Sequence, residues 1–134
     1  MLFIDDYSRM VWVTFLKHKS EAFYRFKFFR KMVERETDLK LKILRLDSRG
    51  EFTSQEFIDY CEKHCIKRQY STARTPQQNG VVERKNKTVK EMARTMLNEA
   101  KLPDKFWKED FHIAVYILNR AQIRVRTTYT PYEL

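Results

Sequence analysis

Short β-branched and aromatic runs alternate with helical periodicities along this sequence, and that alternation leaves few architectures open. Residues 1–4 and 10–16 are strand-like runs on either side of Asp5-Asp6-Tyr7-Ser8-Arg9, which predicts a hairpin. From 20 to 36, Phe23, Phe26, Phe29 and Val33 recur at helical intervals, with Ser20 placed to cap the first turn. Residues 41–46 predict a strand that delivers Asp47 to its carboxyl end, and Ser48-Arg49-Gly50 breaks the pattern. Thr53-Ser54-Gln55-Glu56 has capping-box spacing, and Phe57, Tyr60, Cys61, His64 and Cys65 carry a helix to about residue 65. A strand over 66–71 and a polar, mobile loop over 72–80 follow. The longest periodic stretch, 81–101, puts Val82, Val89, Ala93, Met96 and Ala100 on one stripe, and Pro103 ends it. A last helix from Asp104 buries Trp107, Phe111, Ala114, Val115 and Leu118. Strands alternating with helices after a hairpin predict an α/β layer fold. At 134 residues, with two glycines and three prolines, the chain has room for one domain and little linker.

The formal net charge is +9, and it is uneven. Residues 1–67 carry fourteen basic and eleven acidic side chains, whereas 68–134 carry thirteen and seven. The second half is therefore the expected contact surface for a polyanion. No apolar run approaches the ~18 residues of a membrane span, and no signal peptide opens the chain. Cys61 and Cys65, four apart on a predicted helix, are badly placed for a mutual disulfide and read as reduced thiols of an intracellular protein.

Two carboxylates stand out. Asp47 lies where a predicted strand meets a loop, and Glu83 lies in the predicted first turn of the long helix. Ligands of open α/β sheets bind at the carboxyl ends of strands, so the two acids are candidates to converge there on Mg²⁺ or Mn²⁺. The competing reading makes Glu83 a solvated acid favoured by the helix dipole and Asp47 a loop cap. At about 100° per residue, Glu83, Lys87, Lys90 and Arg94 share one side of the helix, away from the apolar stripe. A carboxylate heading three cations suits a phosphate backbone, although a solvated basic face, or a Glu83–Lys87 pair, makes the same pattern.

The string Thr75-Pro76-Gln77-Gln78-Asn79-Gly80-Val81-Val82-Glu83-Arg84-Lys85-Asn86 resembles the signature of the integrase core of copia-type retrotransposons. Phe3-Ile4-Asp5-Asp6-Tyr7-Ser8-Arg9, Gly50-Glu51-Phe52, Glu91-Met92-Ala93-Arg94, Asn119-Arg120 and Thr130-Pro131-Tyr132-Glu133 are similar to further pieces of it, so the resemblance runs along essentially the whole chain. It implies a ribonuclease-H-like three-layer fold, with a mixed sheet and flanking helices, over 1–134. It also implies a triad of two Asp and one Glu holding two Mg²⁺ or Mn²⁺ ions for DNA integration by 3′-end processing and strand transfer. Asp47 and Glu83, thirty-five residues apart, match the second Asp and the Glu. By the same resemblance Gln78 and Asn79 belong to the active-site loop and Lys87 and Lys90 approach DNA, with Arg94 next in their row. Element ends and target DNA are the implied partners, a homo-oligomer is possible, no membrane is involved, and the nucleus is the implied compartment.

Two departures qualify the resemblance. The family's first catalytic Asp lies on a strand before the segment matching Phe3 to Arg9, so the domain reads as N-terminally truncated, with catalysis impaired alone and sheet edges left unpaired. Asp5 and Asp6 match an ordinary hairpin motif and do not replace it. Arg49 stands where the family has a glycine. The alternatives are a non-catalytic DNA-binding or interaction module and, further off, a ribonuclease-H-type nuclease. Cys61, His64 and Cys65 lack the fourth ligand of a structural zinc site, and Phe23, Phe26, Phe28 and Phe29 read as core and near-core residues rather than a base-stacking platform.

Overall fold

In a computed structural model, the protein is described over residues 1–47, 52–71, 76–122 and 127–134. The elements are β1 (Leu2–Ile4), β2 (Val11–Val13), α1 (Ala22–Thr37), β3 (Ile43–Asp47), α2 (Gln55–Lys63), β4 (Lys67–Ser71), α3 (Pro76–Glu99) and α4 (Trp107–Ala121). The chain divides into two units, one of Met1–Phe15 with Gly80–Leu134 and the other of Leu16–Asn79.

In the first unit, β1 and β2 form an antiparallel hairpin in the register Leu2↔Val13, Phe3↔Trp12, Ile4↔Val11. The turn is built by Asp5, whose carboxylate accepts from the Ser8 amide at 2.7 Å and the Ser8 hydroxyl at 2.8 Å. Arg9, at φ 65, takes the left-handed step that closes it. The Arg9 guanidinium pairs with Asp6 at 2.8 Å. Asp5 and Asp6 are thus spent on the turn, in keeping with their reading as a hairpin motif.

One face of the hairpin packs on two helices. Val11, Val89, Ala93, Phe111, Ala114, Val115 and Leu118 form the buried cluster, flanked by Leu2, Ile4, Val13, Met92 and Met96. All the apolar residues expected on α4 take part, Trp107 at the margin. The stripe on α3 is shorter than its periodicity suggests: Val89, Ala93 and Leu97 are buried, whereas Val82 is 46% exposed and Ala100 is exposed. Periodicity reports which residues share a face, but not how far a partner extends along it.

Asn119 completes this unit. Val11 faces Ile4 in a non-hydrogen-bonded pair, so its amide and carbonyl point off the hairpin. The Asn119 side chain takes both: Oδ1 accepts from the Val11 amide at 2.9 Å, and Nδ2 donates to the Val11 carbonyl at 2.8 Å. A buried side chain on α4 thereby stands in for a neighbouring strand.

In the second unit, α1 and α2 share an aromatic core. Phe26 and Phe57 are fully buried, with ring centroids 5.8 Å apart, and Phe23 and Phe52 approach Phe57 at 5.7 and 5.0 Å. β3 and β4 pair in parallel from Ile43↔Lys67 to Asp47↔Ser71. Among the described residues the parallel and antiparallel pairs of the expected mixed sheet stay as two separate two-stranded sheets.

Several local expectations shift. Residues Lys19–Glu21 form a 3-10 turn before α1, which places Ser20 inside that turn instead of at a cap. Ser54 rather than Thr53 caps α2, accepting from the Phe57 amide at 3.2 Å. α2 stops at Lys63, leaving Cys65 outside it at φ 55. The predicted loop is overturned in part: 72–75 and the Arg49 position lie outside the described residues, but Pro76 to Gly80 are helical. Proline is favoured at the first helical position, where its missing N–H costs nothing, so Pro76 starts the helix that its polar neighbours disguise.

Candidate nucleic-acid and metal site

Asp47 is the last residue of β3, opposite Ser71 of β4, so the backbone carries it to the carboxyl end of a parallel strand as expected. Its side chain lies outside the described residues, as do those of Gln78 and Asn79, whose backbones belong to the opening turn of α3.

Glu83 is not in a first turn. Because α3 starts at Pro76, Glu83 comes two turns in, beyond the reach of the amino-terminal dipole. The dipole therefore gives no reason for an acid there. Glu83, Lys87, Lys90 and Arg94 are all exposed, and the row is centred about a quarter to a third of a turn from the buried Val89 and Ala93. Lys87 lies 3.9 Å from Glu91 rather than pairing with Glu83, and Glu83 makes no ion pair among the described residues. A solvent-facing carboxylate without an ion pair among the described residues is a hard oxygen donor of the kind divalent ions prefer, so this residue fits the ion that the resemblance implies. Arg94, at the far end of the row, borders a notch of about 370 Å³ with Asn98, Asp104 and Trp107.

The helix that carries this face is pinned from its other side. Lys85, 200° around α3 from Glu83, is half-buried and its Nζ donates to Oε1 of Gln122 at 2.5 Å. Burial, and then the nearby Arg9 guanidinium, push its ammonium pKa down. Arg84 donates to the Gly80 carbonyl at 3.0 Å across one turn. Lys85 carries no signal in the sequence, because a lysine tied to a neutral amide just past the end of a distant helix has no spacing signature.

Among the described residues no three His, Cys, Asp or Glu side chains gather closely enough to hold a metal, which removes Cys61, His64 and Cys65 as a group. Cys61 is buried, and burial pushes its thiol pKa up, while Cys65 is exposed. No helix among the described residues is long and apolar enough to cross a membrane.

The fold is the ribonuclease-H-like fold of integrase catalytic cores. Over 98% of this chain and 80% of the other, it superimposes on the HTLV-2 integrase catalytic core domain in complex with magnesium, with a TM-score of 0.73 and 22% sequence identity. Against a chain of the simian T-cell lymphotropic virus intasome in complex with PP2A regulatory subunit B56 gamma the TM-score is 0.77 at 20% identity, over 99% of this chain and 46% of that one. The integrase core domain family matches residues 1–76, more than half of the sequence, and the chain belongs to that family. It is 50% identical over 119 residues to the Retrovirus-related Pol polyprotein from transposon TNT 1-94 of Nicotiana tabacum, covering 89% of this chain and 9% of that protein. The chain thus spans about a tenth of the length of this relative.

Proposed function

We propose that this chain is the DNA-handling core of a retrotransposon integrase, acting in the nucleus on the element's ends and on target DNA. The observation that carries the reading is the outer face of α3, where Glu83, without an ion pair among the described residues, leads Lys87, Lys90 and Arg94 along one exposed line. Asp47 and Glu83 would hold Mg²⁺ or Mn²⁺, each supplying carboxylate oxygen. Phosphoryl transfer at such a site draws on bound divalent cations to activate the attacking water or 3′-hydroxyl and to offset charge on the leaving oxygen. The three cations bind the phosphodiester backbone, and Gln78 and Asn79, one turn before Glu83, reach the same strand. The HTLV-2 integrase core has trimeric and dimeric forms, and self-association is proposed here too.

The test is duplex DNA binding by fluorescence anisotropy with and without Mg²⁺ or Mn²⁺. Wild-type affinity should rise with the ion, and an Asp47→Asn, Glu83→Gln double variant should lose that rise. An unchanged response in the double variant overturns the metal assignment. Binding with no response to the ion in either protein favours the alternative of a non-catalytic DNA-binding module. Lys87→Glu with Lys90→Glu should weaken duplex binding and lower its logarithmic salt dependence by about 2, roughly 0.9 per lost phosphate contact. An unchanged slope would remove α3 from the interface.

A further inference from the structure

The four phenylalanines of α1 were expected to be core or near-core. Phe26 is fully buried and Phe23 and Phe29 are partly buried, but Phe28 is 63% exposed and Tyr24, one turn earlier, is 66% exposed. Continuing along the same line, at helical offsets of three and four, come Lys31 and Arg35, both exposed. Tyr24, Phe28, Lys31 and Arg35 therefore fall within about 60° of one another on the face of α1 opposite its buried Ala22 and Phe26. Successive members are about 4.5–6 Å apart along the axis. Neither Lys31 nor Arg35 makes an ion pair among the described residues. Of the nearby acids, Glu34 pairs with Arg30 at 3.1 Å, the Glu21 carboxylate accepts from the Lys17 amide at 3.2 Å, Glu36 lies about 100° round the helix from Arg35, and Asp38 lies past the helix at its left-handed C-cap.

We infer that this face of α1 is a second nucleic-acid surface, one that takes single-stranded rather than duplex nucleic acid. Rings at Tyr24 and Phe28 offer stacking platforms for unpaired bases, and Lys31 and Arg35 neutralise the phosphates that follow. Duplex bases are already stacked and cannot use the rings. A second copy of this chain, which a two-fold axis perpendicular to α1 would seat with rings facing cations, is told apart by its effect on sedimentation. The inference does not rest on α3, which offers cations and no exposed ring among Glu83, Lys87, Lys90 and Arg94.

The experiment compares anisotropy titrations of a labelled oligothymidylate of about 12 nucleotides, within the usual length for such sites, with those of a duplex, in the absence of divalent ions. Tyr24→Leu with Phe28→Leu keeps apolar bulk and favours the helix while deleting both rings. It should weaken single-strand binding at least tenfold and leave the duplex unaffected. Lys31→Gln with Arg35→Gln should lower the single-strand salt slope by about 1.4, roughly 0.7 per phosphate. The Lys87→Glu, Lys90→Glu variant should show the reverse preference, losing duplex binding first, so failure of one surface is told from failure of the other. Unchanged single-strand affinity in the leucine variant overturns the proposal. So does a shift from dimer to monomer in sedimentation of that variant, which would assign the face to a second copy.

Discussion

At the scale of single residues, buried or half-buried polar side chains that satisfy backbone groups are sites where a single substitution should lower stability. Asn119 and Val11 are 108 positions apart, yet one side-chain amide satisfies both outward groups of the strand. An Asn119→Leu variant keeps the volume but leaves a buried N–H and C=O without partners. It should lose about 2 kcal/mol in chemical denaturation, the usual cost of such unsatisfied groups. Glu34 makes a similar tie in the other unit, pairing with Arg30 at 3.1 Å and accepting from the Leu41 amide at 2.9 Å. Burial would raise its pKa, but the Leu41 amide and Arg30 outweigh it and hold the carboxyl below the usual glutamate value. A depressed folded pKa contributes stability that is full above the ordinary glutamate range and fades as the pH falls through the folded value. Glu34→Gln should therefore cost about 1 kcal/mol near neutral pH, with the gap from wild type closing in acid denaturation series. A gap that stays constant down to strongly acid pH would show that the charge contributes nothing.

At the scale of elements, α3 organises the candidate site through its division into sides. Val89, Ala93 and Leu97 fix the buried side, Lys85 fastens the helix to the end of α4, and the remaining exposed side is left to Glu83 and its cations. Its start at Pro76 changes what Glu83 means, since an acid two turns into a helix has no dipole to thank for its position. α1 has the same division, burying Ala22 and Phe26 while turning Tyr24 and Phe28 outward. The hairpin shows how a motif can serve structure: Asp5, Asp6, Ser8 and Arg9 all take part in one turn.

At the scale of the whole molecule, the four strands make only two ladders among the described residues, each of two strands. Parallel pairs are normally covered on both faces, but Ile43 is 48% exposed and Tyr70 is 39% exposed. Two-stranded sheets are marginal by themselves and draw their stability from the helices packed on them. The chain alone should therefore melt at low temperature or gain stability with protein concentration through association. Calorimetry across a tenfold concentration range checks this, and a sharp, concentration-independent transition at high temperature would contradict it.

Elements were legible in the sequence because their signals are local. The 3.6-residue recurrence of Phe111, Ala114, Val115 and Leu118 specifies the inner side of α4, and β-branched runs specify β1, β2 and β3. The line from Glu83 to Arg94 was legible for the same reason, since four offsets on one helix need no knowledge of the rest of the chain. Caps and boundaries were less so: Ser54 and Thr53 both carry cap-forming hydroxyls, and the helix starts after Ser54. Which exposed aromatic turns outward, which carbonyl pair Asn119 covers and which amide receives Lys85 are decided only when distant segments meet. Burial and hydrogen-bond satisfaction depend on neighbours in space, and no spacing within the chain encodes them.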